Sequence, residues 1–566
     1  MRLRTICAAL VLLLGAGACQ NRTASNPPSS PSQSQALAAN APFKLVEVAE
    51  QRGIRFRHHA STRSPITIVE TMGSSACFID YDNDGWVDVL LVDAGQDYKL
   101  PKQTSGTKLY HNNGNGTFTD VTEGSGIVVE SYATGACIGD YDNDGNDDIL
   151  ITGFGRNYLF RNLGNGKFKD VTAEAGLLRR PNTWGIGCAF VDVNRDGLLD
   201  IFIGNYVVFD PRMPFCESAH IQHGCTPNQY GTQASELYIN QGHGKFLEKA
   251  KELGAENKKG ASLGVLLCDF DNDGWVDIFI ADDGTPNALL HNLHGKFEDM
   301  GQKSGVAYGE DGSMRAGMGT DAADVDGDGK FDLVITNFSN EVTTLYHNLG
   351  GMNFQEIAYP SGIGQPSLGK LKFGIVFADL DGDGLPDIYQ TNGHVHDTIE
   401  KFHDADTFEE VDQIYHNVGA GKFKEVLPAS GAYPGTPSVG RSVATADFNN
   451  DGKIDVLLNS LNRPARLLEN QTSIKGHWVG LKLIGTKSNR SAIGARVELQ
   501  ASSGNQIREV RSGGSYIGQS DLRVLFNLPP TADTSHLVIN IRWPNGDKQT
   551  LNQIALDKYS KVEEPR

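Results

Sequence analysis

The chain has 566 residues, with 69 Asp and Glu against 50 Lys and Arg, a formal net charge of -19, and 65 glycines. Charged residues at 21% beside 39% hydrophobic ones exclude a disordered chain, and the negative balance argues against nucleic acid as a partner. Length alone leaves open one large β-architecture or several ordinary domains.

Residues 1–18, MRLRTICAALVLLLGAGA, join a short basic start (Arg2, Arg4) to an apolar run from Ile6 to Leu14 and a string of small residues. The run is too short to span a bilayer and reads as an export signal. Small residues followed by Cys19 resemble the bacterial lipobox, which implies that Cys19 is acylated and begins the mature chain; a plain cleaved signal is the alternative. Residues 19–42 are rich in Pro, Ser and Asn without apolar periodicity, a tether. The expectation is a lipoprotein of the bacterial cell envelope, at the outer membrane or facing the periplasm, that touches membrane only through its N-terminal lipid.

From residue 43 to 470 an acidic pattern of nine residues recurs seven times. Its oxygen-bearing positions 1, 3, 5 and 9 are Asp80, Asp82, Asp84 and Asp88, then Asp140, Asp142, Asp144 and Asp148, then Asp192, Asn194, Asp196 and Asp200. The fourth and fifth copies hold Asp269, Asp271, Asp273 and Asp277, and Asp324, Asp326, Asp328 and Asp332. The last two hold Asp379, Asp381, Asp383 and Asp387, and Asp447, Asn449, Asp451 and Asp455. Starts fall 60, 52, 77, 55, 55 and 68 residues apart, the mark of repeated supersecondary units.

Each unit runs in the same order: an apolar stretch, the acidic loop, a second apolar stretch, an L-Y-x-N segment such as LYHN (109–112), and a G-x-F segment. The apolar runs are short, rich in Val, Ile, Tyr and Phe, and separated by Asn-Gly or Gly-x-Gly, so they read as strands joined by tight turns. Four strands per unit predict an all-β fold, a seven-bladed β-propeller, with an open solenoid as the alternative. The seventh unit ends at ARLLEN (465–470) without a G-x-F segment, and FKLVEV (43–48) stands alone at the N-terminus; that strand can complete the seventh blade and close the ring.

Oxygen-only ligands at alternating positions, with Gly at position 6 of every copy, suit a hard cation that takes six to eight oxygens, and calcium fits best. Thiolate and imidazole are absent from the loops, which argues against zinc or copper. An EF-hand needs Glu at position 12, where this chain has Leu91, Ile151, Ile203, Ile280, Ile335, Gln390 and Leu458. The reading is a calcium-binding β-hairpin loop, up to seven ions per chain, with structural stapling as their task. Loss of residues 1–18 removes Arg2 and Arg4 and leaves about -21, which seven divalent ions bring to about -7.

Cys77, Cys137, Cys188 and Cys268 lie just before acidic loops and read as core packing. Cys216 and Cys225 sit nine apart in an irregular stretch of an exported protein, so a disulfide is expected there.

The loops with their L-Y-x-N and G-x-F segments resemble FG-GAP/VCBS repeats, the blades also found in integrin α-subunit propellers. SNRSAIGARV (488–497), VRSGGSYIGQ (510–519) and RWPNG (542–546) are similar to the ASPIC/UnbV domain, placed here at 475–560 as a small C-terminal β-rich domain. The chain from about 43 to 552 thus resembles the cartilage acidic protein/UnbV family. The resemblance implies calcium binding and adhesion or scaffolding at surfaces. It departs from the pattern at Phe526-Asn527-Leu528-Pro529, where the family has F-G-L-G, and at Gly518, which replaces a serine before Gln519.

The function expected is a non-enzymatic, calcium-stabilised envelope scaffold that binds a protein or glycan partner. The alternative is a polysaccharide-processing or other hydrolytic enzyme with its site over the propeller funnel. His58, His59, His394, His396 and His403 could meet there if blades 1 and 6 share a face, although loop histidines more often serve as structural hydrogen-bonding groups. Glu70, Thr71, Asp282 and Asp283 read as turn-capping residues. No nucleophile elbow, P-loop or zincin motif is present.

Overall fold

The computed structural model describes residues 42–566 except 62, 96, 100–104, 178–181, 219, 402, 404–405 and 427–434. The export signal and Cys19 lie outside the described residues, as does the tether apart from residue 42. No helix among the described residues is long and apolar enough to cross a membrane.

Seven four-stranded antiparallel sheets occupy residues 45–470. Blade 2 is representative, with strands Tyr132–Gly139, Asp148–Phe154, Tyr158–Asn162 and Phe168–Asp170. Its first strand, YATGACIG, is buried along its whole length, because neighbouring sheets press on both faces. The fourth strand buries only Phe168 and turns Lys169 and Asp170 to solvent, a short charged edge that resists pairing with other chains.

First strands touch in sequence around the molecule: Ala76–Ile79, Tyr132–Gly139, Gly185–Val191, Ser262–Cys268, Thr320–Ala323, Lys372–Ala378 and Gly440–Ala446, the last contacting the first again. Glycine permits this approach, since a Cβ on Gly135 would stand 2.1 Å from the Ile186 carbonyl oxygen and one on Gly264 2.2 Å from that of Met318. The seventh sheet is completed by the N-terminal strand, Leu45–Glu47, which pairs antiparallel with Arg466–Asn470 in the register Leu45↔Asn470.

The 77-residue spacing between the third and fourth loops reflects a long connection within blade 3. The stretch expected to be irregular is a hairpin, Phe215–Ser218 paired with Ile221–Gly224, in which Cys216 is disulfide-bonded to Cys225. Cys77, Cys137, Cys188 and Cys268 are buried free thiols.

Beyond residue 475, a three-stranded sheet centred on His477–Ile484 and a four-stranded sheet from Arg496 to Leu551 form the C-terminal unit. It is not a separate satellite. Val479, Leu481, Phe526, Ile539 and Trp543 share one hydrophobic cluster with Cys137, Tyr141, Leu199 and Phe246 of blades 2 and 3. Its 510–523 segment runs against the first strands of the blades. Phe78 N–H donates to the Gln519 carbonyl at 2.9 Å and Thr320 N–H to that of Ser515 at 2.8 Å. Ile138 N–H donates to Gln519 Oε1, Phe190 N–H to Ser512 Oγ and Ile375 N–H to Ser515 Oγ, each at 3.2 Å. These innermost strands have no further strand to pair with, and the inserted segment satisfies backbone groups that a dry channel would leave orphaned.

Candidate metal centres

Each acidic loop joins the first and second strands of its blade, so strands flank it on both sides and no helix does. Gly85, Gly145, Gly197, Gly274, Gly329, Gly384 and Gly452 have φ between 81° and 96°. Position 4 is left-handed as well, filled by Asn83, Asn143, Arg195, Asn272, Gly327, Gly382 and Asn450. Asn and Gly tolerate that conformation best, so their recurrence at position 4 was a readable signal of the tight turn.

Position 1 is buried in every loop. In six of the seven, its two carboxylate oxygens accept the N–H groups of positions 5 and 6, as Asp140 does from Asp144 at 3.0 Å and Gly145 at 2.7 Å. The same pair forms in the third to seventh loops. Position 5 is exposed and position 3 exposed or half-buried, so the site is open towards solvent.

Position 9 is buried and held on both oxygens. Asp148 Oδ2 accepts from Tyr141 N–H at 3.2 Å and Oδ1 from Asn162 N–H at 2.7 Å. Asn162 is the last residue of the L-Y-x-N segment, and the other six blades repeat the pair, from Asn112 with Asp88 to Asn470 with Asp455.

Without a counter-charge these carboxylates are held in a poor solvent. Burial pushes Asp88 up to about 9, Asp332 and Asp140 to about 7, and Asp192 and Asp447 to about 6, and it raises Asp148, Asp200, Asp277 and Asp455 well above the usual range. A divalent cation among the loop oxygens would offset that penalty. The donor set fits such an ion, and one buried atom is orphaned: Asp142 Oδ1 has no hydrogen-bond partner among the described residues. The residues that would hold it are those at positions 1, 3, 5 and 9 of each loop.

The loops themselves hold no imidazole, but the third strand brings one beside four of them, which sequence reading missed. His111 Nδ1 lies 3.2 Å from Asp88 and 3.5 Å from Asp82; His347 lies 3.0 Å from Asp332 and 3.6 Å from Asp326; His416 repeats this with Asp387 and Asp381. His291 Nε2 is 3.2 Å from Asp271. The signal was the residue before Asn in LYHN, LLHN, LYHN and IYHN. Arg161 takes the place in blade 2, 2.6 Å from Asp142.

The histidines that could have met over the funnel fall instead into separate groups, most of them hydrogen-bonded or packed against neighbours. His59 pairs with Asp93 at 3.3 Å and His58 Nε2 with Ser74 at 3.0 Å. His394, His396 and His223 form a second group, with ring centroids 5.5 and 5.0 Å apart along that chain. Arg441, fully buried, lies between, donating to the Thr71 carbonyl at 2.6 Å and the His394 carbonyl at 3.0 Å. Glu70 closes its one-turn helix by accepting Thr67 N–H at 2.8 Å and pairs with Arg63 at 2.5 Å. Asp283 accepts the Tyr206 hydroxyl. Beside these groups lies a cavity of about 50 Å³ lined by Met72, Leu263, Met318, Phe373 and His396.

An FG-GAP-like repeat model matches residues 80–151, 140–203, 269–335, 324–389 and 405–458, together more than half of the chain, and an ASPIC and UnbV model matches 485–566. Cartilage acidic protein 1 of Mus musculus is 26% identical over 389 residues, 67% of this chain and 54% of that protein. The human protein is 26% identical over 313 residues, 54% of this chain and 43% of that protein, so the chain spans about half the length of the curated relatives it matches. Among solved structures, an Agrocybe aegerita lectin recognising non-reducing terminal N-acetylglucosamine aligns with 64% of this chain and 82% of its own at 19% identity and a TM-score of 0.38. A Bacillus licheniformis rhamnogalacturonan lyase aligns with 76% of this chain and 75% of its own at 13% identity and a TM-score of 0.37. The chain belongs to the FG-GAP-like repeat family and carries an ASPIC and UnbV domain over residues 485–566.

Proposed function

We propose that the chain is a calcium-stabilised propeller scaffold of the bacterial cell envelope, exported by residues 1–18, anchored through acylated Cys19, and binding a protein or glycan partner. The observation that carries the reading is the repeated loop geometry, in which a buried position 1, a buried position 9 and two outer oxygens converge in blade after blade on a left-handed turn. Bound calcium keeps those carboxylates ionised inside the fold and holds each blade's first two strands in register. The surface so fixed presents the partner site, while the leash of residues 19–42 keeps the body at the membrane.

The test is recovery of partners on the calcium-loaded mature protein from its own envelope fraction, repeated with chelator, with the metal content of the protein measured in parallel. Calcium in the purified protein, and a partner recovered in its presence and lost on chelation, supports the scaffold. Recovery of nothing in either condition, together with turnover of members of a glycan library, replaces it with an enzyme acting on polysaccharide.

A further inference from the structure

The first loop is built differently from the other six. Asp84 N–H, the counterpart of the group that binds position 1 elsewhere, turns to Asp82 Oδ1 at 3.4 Å, and Gly85 N–H reaches Asp80 Oδ1 only at 3.5 Å. In the second to seventh loops the position 6 contact to the position 1 carboxylate is 2.7–2.9 Å. What Asp80 has instead is Lys482, whose ammonium donates to Asp80 Oδ2 at 2.8 Å and to Asn83 Oδ1, within the same loop, at 3.3 Å.

Lys482 reaches the loop from the C-terminal unit. On the strand His477–Ile484, Leu481 and Leu483 point into the shared core, and alternation along the strand sends Lys482 the other way. It enters a cavity of about 230 Å³ between the first two loops and the C-terminal unit, where Asp80, Asp140, Asp147 and Asp521 face Lys482 and Arg523. Other basic side chains also touch loops, but the position 1 cradle survives them. Arg542 pairs with Asp269 while Asp269 still accepts Asp273 N–H at 3.1 Å and Gly274 N–H at 2.9 Å. Arg161 meets the outer oxygens of Asp142 and Asp144 and leaves Asp140 seated.

We propose that Lys482 closes the first loop to divalent metal, its ammonium serving as that loop's resident cation, so that this one pattern is a metal-independent clasp between blade 1 and the C-terminal unit. This rests on the calcium reading of the other loops. An ammonium hydrogen-bonded to Asp80 occupies the oxygen a metal would need, and a divalent ion beside it would add like-charge repulsion.

Two measurements on the full mature chain test it: calcium stoichiometry by calorimetry, and Tb³⁺ luminescence sensitised by Trp86, which stands at position 7 of this loop. Asp80→Asn is expected to leave the stoichiometry unchanged, whereas Asp379→Asn in the sixth loop removes about one ion per chain. Lys482→Met is expected to gain about one ion and to add a component of Tb³⁺ emission that Trp86→Phe removes, over the emission that Trp275, at the same position of the fourth loop, gives in the parent. If Asp80→Asn and Asp379→Asn each lose one ion, or the parent already shows Trp86-dependent emission, Lys482 does not close the loop. If neither substitution changes the stoichiometry because the parent binds no calcium, the calcium reading falls and this inference with it. Should Lys482→Met fail to fold, the Asp80→Asn and Asp379→Asn pair still decides the matter.

Discussion

Asn162, at the end of the third strand of blade 2, donates its side-chain amide to the Tyr81 carbonyl in the loop of blade 1, at 2.8 Å. The same bond recurs from each blade to the one before it, as from Asn240 to Tyr141, Asn348 to Phe270 and Asn470 to Leu380, and Asn112 carries it across the closure to Phe448. Its backbone N–H meanwhile holds the position 9 aspartate. One residue therefore ties its own acidic loop to its neighbour's, which explains why the segment ends in Asn and not another polar residue: it alone supplies an amide donor at this reach with a carbonyl oxygen left for the turn, here accepting Gly164 N–H at 3.0 Å. Asn162→Ala leaves the buried Tyr81 carbonyl and the half-buried Asp147 carbonyl without this donor, and a loss of about 2–4 kcal/mol is expected. Urea unfolding of this variant beside Asn113→Ala, an exposed position, measures it; equal stabilities would show that the ladder of amides holds nothing.

Removal of metal should separate loop chemistry from ordinary packing. Asp326 occupies position 3 of the fifth loop and makes few contacts that a folded, metal-free chain needs, since its carboxylate meets Asp328 N–H at 3.2 Å and otherwise faces His347. With free calcium at one to ten times a dissociation constant typical of extracellular modules, one site contributes about 0.4–1.4 kcal/mol. Asp326→Ala should lower stability by that increment in millimolar calcium, seen as a fall in the thermal midpoint, and should lower it by much less in chelator. Equal lowering in both conditions would mean that Asp326 acts through packing and that the loop is no metal site.

The repeat, its strand content and the closing role of residues 43–48 were legible because each depends on spacing within a few residues or on counting units. Asp and Gly at fixed positions declare a turn with converging oxygens whatever surrounds it. The contacts that join units were not legible. Nothing local in G-A-C-I-G marks Gly135 as the place where the Ile186 carbonyl approaches, and nothing in LYHN says that His111 will lean on Asp88 rather than into solvent. The largest omission, the seating of 510–523 against the first strands, joins residues hundreds of positions apart. Asn527, a departure from the family pattern, likewise acquires a role only in three dimensions, donating to the Gly452 carbonyl of the seventh loop at 3.2 Å.

That seating gives its own prediction. Gln519 is fully buried, with Oε1 accepting from Gly513 N–H at 2.7 Å and Ile138 N–H at 3.2 Å, and Nε2 donating to the Ser520 carbonyl at 2.7 Å. Gln519→Ala strands these groups and is expected to cost about 2–4 kcal/mol. The effect should be visible locally, as faster amide hydrogen exchange at Ile138 and Phe78 together with residues 510–523 and no change in the outer strand Phe168–Asp170. Uniform acceleration across all blades would instead indicate that the segment merely shares in global stability.

Acid should weaken the fold through histidines buried without charge. Burial pushes His394 down to about 3 and His58 and His396 to about 4, with the like charges of Arg441 and neighbouring histidines adding to the shift at His394. A histidine whose folded pKa lies below its unfolded value of about 6.5 binds a proton in the unfolded chain first, so stability is complete above about 6.5 and is lost as pH falls towards the folded value. His394 Nδ1 accepts His396 N–H at 3.0 Å, and the ring stands edge-on to Phe338 at 5.6 Å. Asn can retain that acceptor without titrating. Chemical unfolding of the parent and of His394→Asn at saturating calcium, between about pH 4 and 6.5, should therefore differ in slope by up to one proton, about 1.4 kcal/mol per pH unit. The carboxylates titrate in both proteins and cancel in the comparison. Parallel slopes would place the acid sensitivity elsewhere, whereas a shallower slope in the variant with Arg441 intact assigns it to the imidazole that the fold keeps neutral beneath His396.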